Sequence, residues 1–120
     1  MKIVLTGHKG FIGSHYYNFI KEHHEVITYD KAKGQDLKDK AVTSSMPDCD
    51  VVVHMAANVS TRLFYKTPTE VSFDNTLPTF NLIERYKNTK TKFVFTSTGE
   101  IFNGTIDNGL YPVPTNENVP

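Results

Sequence analysis

Three observations predict an α/β fold built on a doubly wound parallel sheet. The first apolar run, Ile3-Val4-Leu5, breaks into glycines spaced three apart and passes directly into an amphipathic stretch. Two later runs, Val51-Val52-Val53-His54-Met55 and Phe93-Val94-Phe95-Thr96, are apolar almost without interruption. Such runs mark strands buried on both faces of a parallel sheet. Helix-like segments separate the runs, and strands alternating with helices at this spacing form βαβ units.

Taken in order, a strand is predicted over 2–6 and a helix over 12–22, where Ile12, Tyr16, Phe19 and Ile20 share a face. A strand over 25–30 ends in Asp30, and a polar connection runs from Lys31 to Asp36. Alternating charges between Lys31 and Lys40 read as solvated. A brief helical or irregular segment covers 37–46, stopped by Pro47. The 51–55 strand follows, then a loop through Pro68 and a helix over 76–87. That helix has Leu77, Phe80, Ile83 and Tyr86 as its apolar face, with Pro78 in the first turn, where proline is tolerated. From Gly99 onward Gly, Asn and Pro dominate and no regular element is predicted. The expected sheet order is 3-2-1-4-5 or its short form, with the strand at 93–97 as an exposed edge. An unpaired strand of that kind favours dimerisation or aggregation.

Length and composition bound the rest. With 120 residues, 38% hydrophobic and 12% aromatic, the chain reads as one globular domain spanning 1–120. Thirteen basic and thirteen acidic residues cancel, so no basic field points to nucleic acid. The single cysteine, Cys49, permits no internal disulfide framework or cysteine metal site, and reads as a packing residue. The five histidines lie on different elements without ligand spacing, so no metal is expected. No signal-like or membrane-spanning run is present, and a reducing, cytoplasmic setting is expected.

The strand–turn–helix context gives the glycines a chemical meaning. Gly7 lets the chain turn sharply out of its strand, Gly10 lets backbone N–H groups approach phosphates, and Gly13 lets the helix lie close. The first turn of that helix then presents free N–H groups and the positive end of its dipole to an anion. This is the geometry expected of a dinucleotide pyrophosphate site, rather than of a purely structural glycine turn. It is not a Walker loop, because no Gly-Lys-Ser/Thr follows.

The motifs resemble those of the extended short-chain dehydrogenase/reductases, in particular the NAD-dependent epimerase/dehydratase group acting on nucleotide-activated sugars. Thr6-Gly7-His8-Lys9-Gly10-Phe11-Ile12-Gly13 matches that family's TGxxGxxG, and Asp30 matches the acid closing the second strand. Asp36-Leu37 matches the pair flanking adenine, and His54-Met55-Ala56-Ala57 resembles HxAA, whose small residues line the cofactor. Asn75-Thr76-Leu77-Pro78-Thr79 resembles NVxGT, with Pro78 in place of glycine. Thr96-Ser97-Thr98-Gly99-Glu100-Ile101-Phe102 resembles SSxxVY. Bland readings exist for single motifs: Asn75 could cap a helix, and Asp36 could serve a turn. Their order makes chance agreement implausible.

The resemblance implies a Rossmann-type sheet, incomplete at its C-terminal side and lacking a substrate domain. It implies cofactor contacts from Gly7, Gly10, Phe11, Ile12, Gly13, Asp30, Asp36, Leu37, Met55, Ala56, Ala57, Asn75 and Ser97. The implied chemistry is transient oxidation of a sugar hydroxyl, with a Tyr of a YxxxK helix as base and a Ser or Thr hydroxyl on the same oxygen. Alignment puts that hydroxyl at Thr98. Glu100 fits the proton-abstracting acid of the family's dehydratases, whereas Phe102-Asn103-Gly104 resembles a segment of its reductases. Epimerase, dehydratase and reductase all stay open at this point.

The strings Tyr29–Lys33 and Tyr86–Lys90 spell YxxxK but do not occupy the family's place. The sequence is read as cut off shortly before the base, so turnover by these residues alone is not expected. The alternative reading is a dinucleotide-binding module that is catalytically silent or completed by a partner. Asp30 can accept from the adenosine ribose hydroxyls and would repel a 2′-phosphate, which favours NAD over NADP against the opposing hints of Lys9 and Lys31. The expected partners are a nucleotide-sugar substrate and a second copy of the chain.

Overall fold

The computed structural model describes residues 1–98. In order, the elements are β1 (Lys2–Thr6), α1 (Phe11–Ile20), β2 (Glu25–Tyr29), a 3-10 turn (Lys31–Lys33), α2 (Lys40–Ser44), β3 (Val51–His54), α3 (Thr61–Lys66), α4 (Pro68–Tyr86) and β4 (Lys92–Phe95). All pairings are parallel and the order is β2-β1-β3-β4, the short form of the expected sheet. The register sets Thr6 beside Tyr29 on one side and His54 on the other, so the C-terminal ends of β1, β2 and β3 open together.

Alternation along the strands divides the apolar core into two layers. Val4, Val52, Leu82 and Tyr86 pack with Leu37 and Met46 on the face covered by α2 and α4. Ile3, Leu5 and Val53 pack with Ile20, Tyr16 and Tyr17 beneath α1. Each wholly buried Val or Leu contributes on the order of 2 kcal/mol relative to exposure.

The helices depart from the expected pattern in instructive ways. The segment from Ser60 to Pro68, expected as loop, contains α3, whose N-cap is Ser60 accepting from the Leu63 N–H at 3.3 Å. α4 begins at Pro68 rather than at 76, so Pro78 sits inside the helix and is buried. Its buried stripe is Val71, Pro78, Leu82 and Tyr86, while Phe80 and Ile83 face outward. The inward face also carries polar Asn75, Thr79 and Asn81, which find partners there and so hide the stripe from an apolar pattern. In α1 the inward face is Gly13, Tyr16, Tyr17 and Ile20, and both Ile12 and Phe19 point outward. Gly13 sets that rotation: a Cβ there would run into the Gly7 carbonyl, so the glycine must face the turn. β4, predicted as a buried-type run lying at an exposed edge, has a neighbour on one side only among the described residues, and Val94 and Phe95 are about half exposed.

Candidate dinucleotide site

The glycine turn is held by its neighbours on both flanks. Gly7 adopts φ +76°, and its N–H donates to the Tyr29 carbonyl at 3.0 Å. A Cβ at Gly7 would lie 2.6 Å from the Ala56 nitrogen and 2.8 Å from the Met55 carbonyl carbon. The end of β1 can therefore lie against the start of the β3–α3 loop only if the residue is glycine. Gly10 differs, since an added Cβ would meet only the Gly7 oxygen, at 3.3 Å. Gly10 N-caps α1 in extended conformation without a side-chain cap, which leaves the first-turn N–H groups without a side-chain acceptor.

Asp30, 12% exposed, is fixed by backbone donors on both oxygens. The Ala32 N–H donates to Oδ1 and the Lys9 N–H to Oδ2, each at 2.9 Å. The carboxylate thus joins the glycine turn to the end of β2 and keeps lone pairs for a further donor. Beyond it, Asp36 accepts from the Lys38 N–H at 3.0 Å and shapes the turn that presents Leu37.

These residues line a cleft of about 630 Å³ at the C-terminal ends of the strands. Gly7, Gly10, Asp30, Asp36, Leu37, Met55, Ala56 and Ala57, all expected from sequence, border it. Gly13 packs against the turn beneath it, while the side chains of Phe11 and Ile12 are exposed. Asn75 does not border the cleft. Its amide instead clasps the backbone of Asn58, accepting from the N–H at 2.6 Å and donating to the carbonyl at 3.0 Å. Ser97 and Thr98 follow β4 and are exposed, outside the cleft lining. Glu100 lies outside the described residues.

Sequence reading passed over Lys38, Asn58, Ser60 and Asp74, which also border the cleft. Asp74 accepts from Lys38 Nζ at 2.5 Å and from Asn58 Nδ2 at 3.1 Å, and lies 3.9 Å from Lys31 Nζ. The Lys38 hydrogen bond is the main cause that holds its carboxyl below the ordinary range and raises Lys38 in return. The only available signal was position, Asp74 preceding Asn75 in the motif and Asn58 following Ala57.

Under the cleft floor, Thr6, His54 and Thr79 form a buried chain. The Ala56 N–H donates to Thr6 Oγ1 at 3.2 Å, and Thr6 Oγ1 in turn hydrogen-bonds His54 Nδ1 at 2.7 Å. The Thr79 hydroxyl donates to the Asn75 carbonyl at 3.3 Å, so His54 Nε2–H donates to Thr79 Oγ1 at 3.1 Å and the neutral ring accepts the Thr6 proton at Nδ1. Burial pushes the imidazole pKa down to about 4, which keeps the ring neutral. The arrangement can hold an elongated anionic ligand: free N–H groups at one end of a helix, a fixed carboxylate beyond them, and an apolar slot past that.

Comparison with known proteins agrees with this geometry. A protein of Methanocaldococcus jannaschii named "Putative UDP-glucose 4-epimerase" is 30% identical over 98% of this chain and 43% of its own length. A crystal structure of a UDP-galactose 4-epimerase is 34% identical, with TM-score 0.79, over all of this chain and 44% of that one. A Thermus thermophilus UDP-glucose 4-epimerase solved with NAD is 30% identical, with TM-score 0.71, over 82% of this chain and 38% of that one. The chain therefore spans less than half the length of these relatives. The sequence model of the NAD dependent epimerase/dehydratase family matches residues 3–118. On that match and that fold, the chain belongs to the NAD dependent epimerase/dehydratase family.

Proposed function

We propose that this chain is the NAD-binding portion of a nucleotide-sugar epimerase or dehydratase. The observation that carries the reading is the meeting of an uncapped α1 N-terminus, the Gly7 turn and the fixed Asp30 carboxylate at one cleft. The pyrophosphate would take the N–H groups that Gly10, Phe11, Ile12 and Gly13 present at the start of α1. Asp30 would accept from the adenosine ribose hydroxyls, and Asp36 with Leu37 would flank the adenine. Met55, Ala56 and Ala57 would line the path toward the far end of the cofactor, with Asn75 holding their loop through Asn58.

When bound, NAD supplies a hydride acceptor for a sugar hydroxyl. This chain's part in that step is to orient the cofactor and to exclude water from its adenosine end. We assign Ser97 to the cofactor side and the Thr98 hydroxyl to the sugar oxygen, at the C-terminal end of β4. Glu100 is assigned to proton abstraction beside the oxidised carbon. The nucleotide-sugar class rests on the names of the relatives, which include a Thermotoga maritima UDP-glucose 4-epimerase solved with UDP-glucose at 27% identity. Among the described residues no helix is long and apolar enough to cross a membrane. We assign the chain to a reducing, cytoplasmic compartment on its single cysteine, Cys49. The exposed β4 edge supports self-association into a homodimer.

Gly10→Val tests the cofactor assignment. The substituted Cβ meets one atom at 3.3 Å and the backbone is extended, so circular dichroism and the unfolding midpoint should stay near those of the native chain. The isopropyl group would stand where the phosphates must approach, and calorimetry should show NAD affinity falling at least ~100-fold. Unchanged affinity in a folded variant would refute the assignment.

A further inference from the structure

We propose that His8 makes the choice between NAD and its 2′-phosphorylated form depend on proton binding, because it faces the Asp30 carboxylate from the side away from the cofactor cleft. The inference rests on the reading of Asp30 as the ribose-binding acid. His8 is 6% exposed, and its Nδ1 is buried with no hydrogen-bond partner among the described residues. That nitrogen lies 3.9 Å from Asp30 Oδ2. The ring stands edge-on to Tyr17, with centroids 5.8 Å apart. His8 does not border the main cleft. It lines a second cavity of about 350 Å³ with Lys9, Tyr17, Thr28 and Lys33.

The charged groups facing His8 come from every neighbouring segment. Asp30 ends β2, Lys9 lies on the glycine turn, and Lys33 on the 3-10 turn reaches Thr28 Oγ1 at 3.3 Å. Tyr17 faces it from α1. Burial first, and Lys33 next, hold the imidazole below its ordinary pKa, with Asp30 pulling the other way. At neutral pH the ring is uncharged, Asp30 is uncompensated on this side, and a 2′-phosphate is repelled. Lys9 and Lys33 are exposed, so water screens their compensation.

Protonation changes the balance locally. An imidazolium buried beside Asp30 cancels much of its field, while the carboxylate keeps its lone pairs for ribose hydroxyls. Binding of a 2′-phosphate then favours the protonated ring, and by linkage NADP takes up a proton at His8 that NAD does not. The affinity ratio should shift toward NADP as pH falls through and below the ordinary imidazole range. The 2′-phosphate also gains a proton near pH 6, so that contribution must be subtracted.

The test is calorimetric titration of native chain and His8→Gln with NAD and with NADP from pH 8 to pH 5.5. The ratio Kd(NADP)/Kd(NAD) should fall ~5- to 10-fold further in the native chain than in the variant. Equal pH dependence in the two would overturn the proposal. Loss of NAD binding by the native chain at pH 8 would instead refute the cofactor reading, and this inference with it. Should His8→Gln fail to fold, histidine NMR titration of the native chain decides. The His8 pKa must be higher in the NADP complex than in the NAD complex, and equal values overturn the proposal.

Discussion

His54 is 1% exposed, and burial keeps its ring neutral, with both nitrogens hydrogen-bonded to threonine hydroxyls. Its pKa of about 4 in the fold lies below the ordinary 6.5, so the unfolded chain binds the proton more tightly. The sign of the linkage follows: stability is fully present above pH 6.5 and is lost as pH falls toward 4. The loss is about 3 kcal/mol by pH 4. Urea unfolding of the native chain between pH 7.5 and 4.5 should show this slope, and His54→Gln should remove most of it. A native slope matched by the variant would mean that other groups carry the acid sensitivity. The residue is visible in the sequence as the His of His54-Met55-Ala56-Ala57, but its role is not. That role needs Thr6, forty-eight positions away, and Thr79 on a different element. Gly7 shows the opposite case, since a glycine at the end of a strand foretells a left-handed turn from local rules alone.

At the scale of elements, strands were legible and helix faces were not. The runs of β1 and β3 could be read because burial on both faces leaves continuous apolar stretches, and the bounds of all four strands agree with the structure to within a residue or two. α4 was misread because its inward face mixes Val71, Leu82 and Tyr86 with Asn75, Thr79 and Asn81, and polar residues that bond inward mimic a solvent face. Asn81 is the most consequential of these. It is 5% exposed, and its Nδ2 donates to the carbonyls of Leu37 at 2.9 Å and Lys38 at 3.1 Å. One side chain on α4 thus fixes the connection that carries Asp36 and Leu37. Asn81→Leu keeps the volume but strands two carbonyls, and should destabilise the chain by about 2–3 kcal/mol in urea unfolding. Calorimetry should also show weaker NAD binding, because the adenine-flanking turn loses its anchor. Wild-type stability would mean that these carbonyls find other partners. The candidate site divides the same way: Gly7, Asp30 and Ala56 follow from chain-local rules, whereas Asp74 and Lys38 meet only through tertiary packing.

For the whole molecule, the distribution of exposed apolar surface decides behaviour in solution. β4 pairs with β3 on one side, and Val94 and Phe95 are 47% and 55% exposed on opposite faces of the strand. On α1, Phe11, Ile12 and Phe19 are exposed as well, adding apolar surface away from the sheet edge. Formal charge is zero at pH 7, with a sequence pI near 7.0, so little long-range repulsion opposes contact between copies. An unpaired strand with these side chains offers its backbone N–H and C=O groups as a template for a second copy. Sedimentation velocity should therefore show concentration-dependent association in the tens of micromolar, stronger at pH 7 than at pH 9, where net charge is negative. Val94→Lys places a charge on the edge without touching the cleft, and should weaken association about tenfold while leaving circular dichroism and NAD affinity unchanged. A chain that stays monomeric at several hundred micromolar would show that the β4 edge is already covered, and the self-association assignment would fall with it.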